Sequence, residues 1–141
     1  MTFTYDEFNY TLRISKGELL IESLTKFIKE KKLTGGWIMG LGGLAWAELG
    51  FYDTTAQAYL WTRFDEPLEL LQLSGNIAWQ DAQPFLHLHA TVSDTSQYAR
   101  GGHVKEAEVS GTCELFIHRW DDDKGLKRSK DSQTGLNLLD L

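Results

Sequence analysis

Tyr10, Leu12 and Ile14 alternate with polar neighbours, the two-residue period of a strand with one buried face. Ser15-Lys16-Gly17-Glu18 then reads as a Ser-x-x-Glu capping box and predicts a helix starting there. Leu20, Leu24, Phe27 and Ile28 recur at helical spacing through about Lys32, opposite a wet face of Glu22, Lys26, Lys29 and Glu30. Gly35-Gly36 offers the C-terminal stop, and no other stretch predicts a long helix. From Trp37 the texture changes to short runs rich in aromatic and β-branched residues, parted by turn-like clusters such as Asp53-Thr54-Thr55 and Asp81-Ala82-Gln83-Pro84. The predicted strands lie near 37–52, 57–64, 68–79, 85–93, 103–109 and 111–118.

Connections this short favour antiparallel hairpins and meanders over crossovers. The expected fold is α/β of the α+β type, a mostly antiparallel β-sheet flanked by one main α-helix. The 141 residues suit a single domain, 1–141, with its core over about 8–118. Residues 119–141 read as a charged surface loop followed by an apolar tail of Leu136, Leu138, Leu139 and Leu141 that docks on a neighbour.

Composition acts mainly by exclusion. A net charge of −6, from 14 basic and 20 acidic residues, opposes a phosphate backbone and argues against direct nucleic-acid binding. The short basic cluster Lys124, Lys127, Arg128 and Lys130 is interrupted by Asp121, Asp122, Asp123 and Asp131, which makes a mixed solvated surface of it. Cys113 is the only cysteine and shares a strand face with Leu115 and Ile117, so it reads as a buried structural thiol. The N-terminus lacks a basic region followed by an apolar run, and no apolar stretch approaches the roughly 20 residues that span a bilayer. A cytoplasmic location without membrane contact is expected.

The segment Phe85-Leu86-His87-Leu88-His89-Ala90-Thr91-Val92 alternates strictly, so two imidazoles project from one strand face and can chelate. A third ligand would complete a three-nitrogen site for zinc or another divalent transition metal, with ligand distances of about 2.0–2.1 Å and a fourth position open. His103, in Gly101-Gly102-His103, is the candidate third ligand. The alternative is that His87, His89 and His103 only hydrogen-bond on a polar sheet face or at a subunit contact. His118 reads as a surface residue at a strand end. Glu69, near Asp65, Glu66 and Pro67, is the candidate general base if the site is catalytic, and otherwise a solvated charge. Gly40-Leu41-Gly42-Gly43-Leu44-Ala45 formally fits a dinucleotide fingerprint, but the alternation that follows is a strand period where the fingerprint needs a helix. Those glycines are expected to serve a bulge, a bend or close packing.

Taken together and in order, several short motifs resemble the plants and prokaryotes conserved domain family. They are Lys16-Gly17-Glu18-Leu19-Leu20, Gly40-Leu41-Gly42-Gly43-Leu44, Leu49-Gly50-Phe51-Tyr52-Asp53, Glu66-Pro67-Leu68-Glu69-Leu70, Ser74-Gly75-Asn76-Ile77, Pro84 to Ala90, and Gly101-Gly102-His103-Val104. The resemblance implies assembly as a homotrimer through sheet edges and apolar strand faces, and places His87, His89 and His103 near a subunit boundary. Plant relatives join this domain to AT-hook segments. Here the only prolines are Pro67 and Pro84, so no Arg-Gly-Arg-Pro hook exists and DNA association would need a partner.

Two classes of function compete. The first is a non-catalytic homotrimeric module, DNA-associated or regulatory through protein partners, with a histidine metal site. The second is a zinc-dependent enzyme of hydrolase type, or a small-ligand sensor, with its site at the subunit boundary.

Overall fold

Two long strands organise the chain. The computed structural model describes residues 1–120, 122 and 124–141; Asp121 and Asp123, two of the acids read as interrupting the basic cluster, lie outside the described residues. The elements in order are β1 (Thr2–Asp6), β2 (Asn9–Ser15), α1 (Leu20–Lys31), β3 (Gly36–Asp53), β4 (Ala58–Phe64), β5 (Leu68–Gln80), β6 (Gln83–Ser93), β7 (Ala99–Arg119), β8 (Arg128–Lys130) and β9 (Asn137–Leu139). The two predicted strands 103–109 and 111–118 are one continuous β7 running through Gly111, and the β1 hairpin was not anticipated.

The architecture is a mostly antiparallel β-sheet with one helix. Seven strands follow the order β1-β2-β7-β6-β5-β3-β4, and a further pairing of β7 with β3 closes β3, β5, β6 and β7 into a ring. The glycine-rich stretch of β3 makes that closure possible. A Cβ on Gly42 would lie 2.4 Å from the Thr112 carbonyl oxygen, and one on Gly40 would lie 2.4 Å from that of Glu114. The register between β3 and β5 also shifts between Gly40 and Gly42, so these glycines serve a bulge and close packing.

Helix α1 buries Leu20, Leu24, Phe27 and Ile28 on the sheet. Each such side chain contributes about 1.5–3 kcal/mol through removal from water. The helix begins at Leu20, not at Ser15, and its cap comes from the sheet. The Glu106 carboxylate on β7 accepts the backbone N–H of Ile21 at 2.7 Å and of Glu22 at 3.2 Å. The Ser-x-x-Glu motif forms a turn before the helix, where Glu18 accepts the Ser15 N–H at 2.7 Å. The stop is likewise earlier than Gly35-Gly36, with Lys32 adopting the left-handed conformation at φ 53°.

The tail folds back on its own chain. β8 pairs with β9, the Tyr52 hydroxyl donates to the Thr134 carbonyl at 2.6 Å, and Gln57 donates to the Gln133 carbonyl at 2.9 Å. Arg128, assigned in the sequence to a solvated cluster, is only 8% exposed. Among the described residues no helix is long and apolar enough to cross a membrane.

Gly75 sits on β5 at φ +158°, where a Cβ would lie 1.9 Å from the His87 carbonyl oxygen. Gly75→Ala therefore forces β5 from β6 and is expected to lower stability by at least about 2 kcal/mol in urea denaturation of metal-free protein. An unchanged midpoint would refute the close approach.

Candidate metal centre

Along β6 the period of two sends Leu88, Ala90 and Val92 into the core and leaves His87 and His89 on the opposite face. On the neighbouring strand His103 is the direct cross-strand partner of His89. The three rings meet with centroids 5.2 Å apart for His87–His89, 5.3 Å for His87–His103 and 5.5 Å for His89–His103. One nitrogen from each ring lies within 4.8 Å of the others. A tetrahedral ion with bonds of about 2.0–2.1 Å sets its ligand nitrogens roughly 3.3 Å apart, so a modest rotation of the rings closes the difference.

His103 Nδ1 is buried and has no hydrogen-bond partner. A purely structural histidine would have that atom satisfied, since an orphaned buried polar atom is costly. Burial above all, then the neighbouring His87 and His89, pushes the His103 pKa down to about 4. Burial and then Arg128 and His89 lower that of His87. Both shifts favour the neutral ring, the state a metal ligand requires.

The histidines floor a cleft of about 1070 Å³. Tyr59 and Trp61 stack on each other with centroids 4.6 Å apart, and Tyr59 lies 5.0 Å from the His103 ring. Phe85, Leu136 and Leu138 complete the apolar wall. Arg128 reaches in from β8, with Nη2 donating to Asn76 Oδ1 at 2.9 Å and lying 3.2 Å from His87 Nδ1. Its Nη1 donates to the Asn137 carbonyl at 2.6 Å.

The other candidates lie apart from this centre. Glu69 is exposed and does not line the cleft. Asp65 pairs with Arg63 at 2.6 Å and Glu66 with Arg100 at 3.0 Å. His118 is exposed and meets Asn9 Oδ1 at 2.8 Å. Cys113 is fully buried, and burial pushes its thiol up to about 12, as befits a structural residue. Arg128 is the residue that sequence reasoning missed. The available signal was the pair of short runs 128–130 and 137–139 around the turn-forming Asp131 to Gly135, a hairpin pattern that would have turned one side chain inward.

Unfolding frees His103 to take a proton below its ordinary 6.5, whereas the folded protein resists until about 4. The unfolded chain thus binds more protons between those values, and stability falls as pH drops through that window. Metal-free protein unfolded with urea at stepped pH is expected to show a declining midpoint from about pH 6.5 to 4, less steep in His103→Gln. Equal slopes would contradict the burial argument.

Comparison with known proteins agrees with this architecture. A protein from Bacteroides thetaiotaomicron, named for a proposed DNA-binding role, superposes with a TM-score of 0.94 at 29% identity, covering 99% of this chain and 96% of that one. A metal-containing protein of Archaeoglobus fulgidus superposes with a TM-score of 0.88 at 32% identity, covering 98% of this chain and 97% of that one. The bifunctional protein GlmU of a Synechococcus strain is 28% identical over 127 residues, 89% of this chain and 19% of that protein. The chain therefore spans about a fifth of the length of the curated relative it matches. The family model of the Plants and Prokaryotes Conserved domain matches residues 6–121, and the chain belongs to that family.

Proposed function

We propose that this chain is a homotrimeric interaction module that holds a divalent transition metal, zinc being the natural choice for three imidazoles, at His87, His89 and His103. The orphaned, buried Nδ1 of His103 within a three-ring cluster carries the reading. Three neutral nitrogen donors suit zinc and its borderline neighbours better than the hard oxygen-seeking ions. The name of the Archaeoglobus relative supports the same reading. When bound, the ion supplies a Lewis-acidic position facing the cleft, while the surrounding residues bind and orient.

Support for self-assembly comes from the outer face of the sheet. His103, His89, Ser74, Met39 and Phe116 are successive cross-strand partners, so the histidine row runs directly into an apolar strip. Trp37, Met39, Leu41 and Phe116 are each about half exposed. Monomers seldom leave such a face in water. A second copy seated there would lie beside the histidines and bring the metal to a subunit boundary.

A hydrolase at this centre needs a base, and no Asp or Glu lines the cleft among the described residues. That favours a binding role over hydrolysis. The DNA role for which the Bacteroides relative is named would reach this acidic chain through a partner.

Elemental analysis of untagged protein is expected to find about one zinc or similar ion per chain, lost in His87→Ala and in His103→Ala while the helix and sheet signals of circular dichroism persist. Metal-free wild type, well folded after supply of zinc, would sink the metal assignment. Light scattering on a sizing column is expected to give the mass of three 16.0 kDa chains, and Met39→Lys is expected to dissociate them. A monomeric wild type, or a trimer indifferent to Met39→Lys, would sink assembly through this face.

A further inference from the structure

Among the described residues Arg128 is a buried cation with no anion beside it. Its side chain is 8% exposed, and the partners it has are neutral: the Asn137 carbonyl, Asn76 Oδ1 and His87 Nδ1, with the Phe85 ring 5.1 Å away. Its Nε is buried and has no partner. Among the described residues no carboxylate pairs with it, and none lines the cleft it faces. An uncompensated charge in such a place is expensive to keep.

The contact with His87 makes the shortage conditional on the metal. A guanidinium only donates, so the 3.2 Å contact is a hydrogen bond only while Nδ1 keeps its lone pair. A metal on His87 takes that lone pair itself, or it binds Nε2 and leaves the proton on Nδ1. In either case Nδ1 ceases to accept. Loading the centre therefore removes one of the partners of Arg128 and places a dication in the same cleft.

We propose that the cleft binds a small organic carboxylate between the histidine-held metal and the Arg128 guanidinium, and that metal and carboxylate bind cooperatively. The inference rests on the metal reading above. An anion is needed because the loaded cleft holds two cationic centres and, among the described residues, no acid. An organic body is needed because Tyr59, Trp61, Phe85 and Leu136 leave an apolar space far larger than an inorganic ion fills. A carboxylate is the better match than phosphate because one guanidinium and no lysine line the cleft, where a phosphate gathers several cationic donors. Arg128 lies beyond the residues 6–121 that the family model matches.

The test is calorimetric titration with benzoate, using benzamide and inorganic phosphate as controls, on protein whose zinc content is measured in the same samples. Zinc-loaded wild type is expected to bind benzoate at least tenfold more tightly than chelator-stripped protein, and to prefer it to both controls. By linkage, benzoate is expected to tighten zinc binding by the same factor in competition with a chelator. Arg128→Gln and Arg128→Lys are expected to keep about one zinc per chain, and Arg128→Gln to lose at least tenfold in benzoate affinity. Equal benzoate affinity with and without zinc in wild type would overturn the proposal without recourse to a variant, as would unchanged affinity in a folded Arg128→Gln protein. Phosphate binding above benzoate would overturn the carboxylate assignment. Failure of wild type to hold zinc, visible in the metal content alone, would instead remove the metal reading and this proposal with it.

Discussion

Strands can lie side by side only where nothing projects between them, and β3 meets β7 on those terms. Gly40 and Gly42 carry no Cβ at the positions where one would collide with the carbonyls of Glu114 and Thr112. From that contact the ring of β3, β5, β6 and β7 follows, because β7 can then turn its first residues onto β6 while the rest runs along β3. The β6–β7 hairpin sets His103 opposite His89, and the ring fixes that hairpin against β5 and β3. A His-x-His pair alone would offer two imidazoles; the next strand along the chain, β7, sets a third beside them.

The distribution of charge sharpens the chemistry of the cleft. The chain is acidic overall, yet among the described residues no carboxylate lines the cleft, and several are engaged elsewhere. Glu106 caps the helix, Glu108 accepts the Trp46 indole N–H, and Asp94 and Glu66 hold Arg100. What remains in the cleft is three imidazoles, a guanidinium and aromatic rings. Such a lining stabilises negative charge arriving from outside and offers little to a reaction that needs a resident base.

How far the sequence foretold this depends on the range of the interaction behind each feature. The alternation around His87 and His89 is local and was legible, as were the apolar stripe of α1 and the unsuitability of the Gly40 to Ala45 stretch for a nucleotide. The helix start was misplaced because the groups that cap it come from Glu106, far along the chain. The runs 103–109 and 111–118 read as two strands because nothing local shows the chain passing Ser110 without a turn, whereas in the sheet it runs on as one strand. Arg128 reads as one more surface charge because its neighbours in sequence are charged. Its burial arises from Asn76 and His87, which lie far along the chain, together with Asn137 on the other arm of its own hairpin.

The division of labour between ring and tail has a bearing on diversity. The floor of the cleft is written into strands that the ring holds rigid, while one wall comes from residues 128–138, a short hairpin fastened by a few side-chain bonds. A hairpin of that kind behaves like the interchangeable bit of a tool. Descendants of one scaffold can keep the same three-histidine floor and, by rewriting a few terminal letters, change what that floor faces.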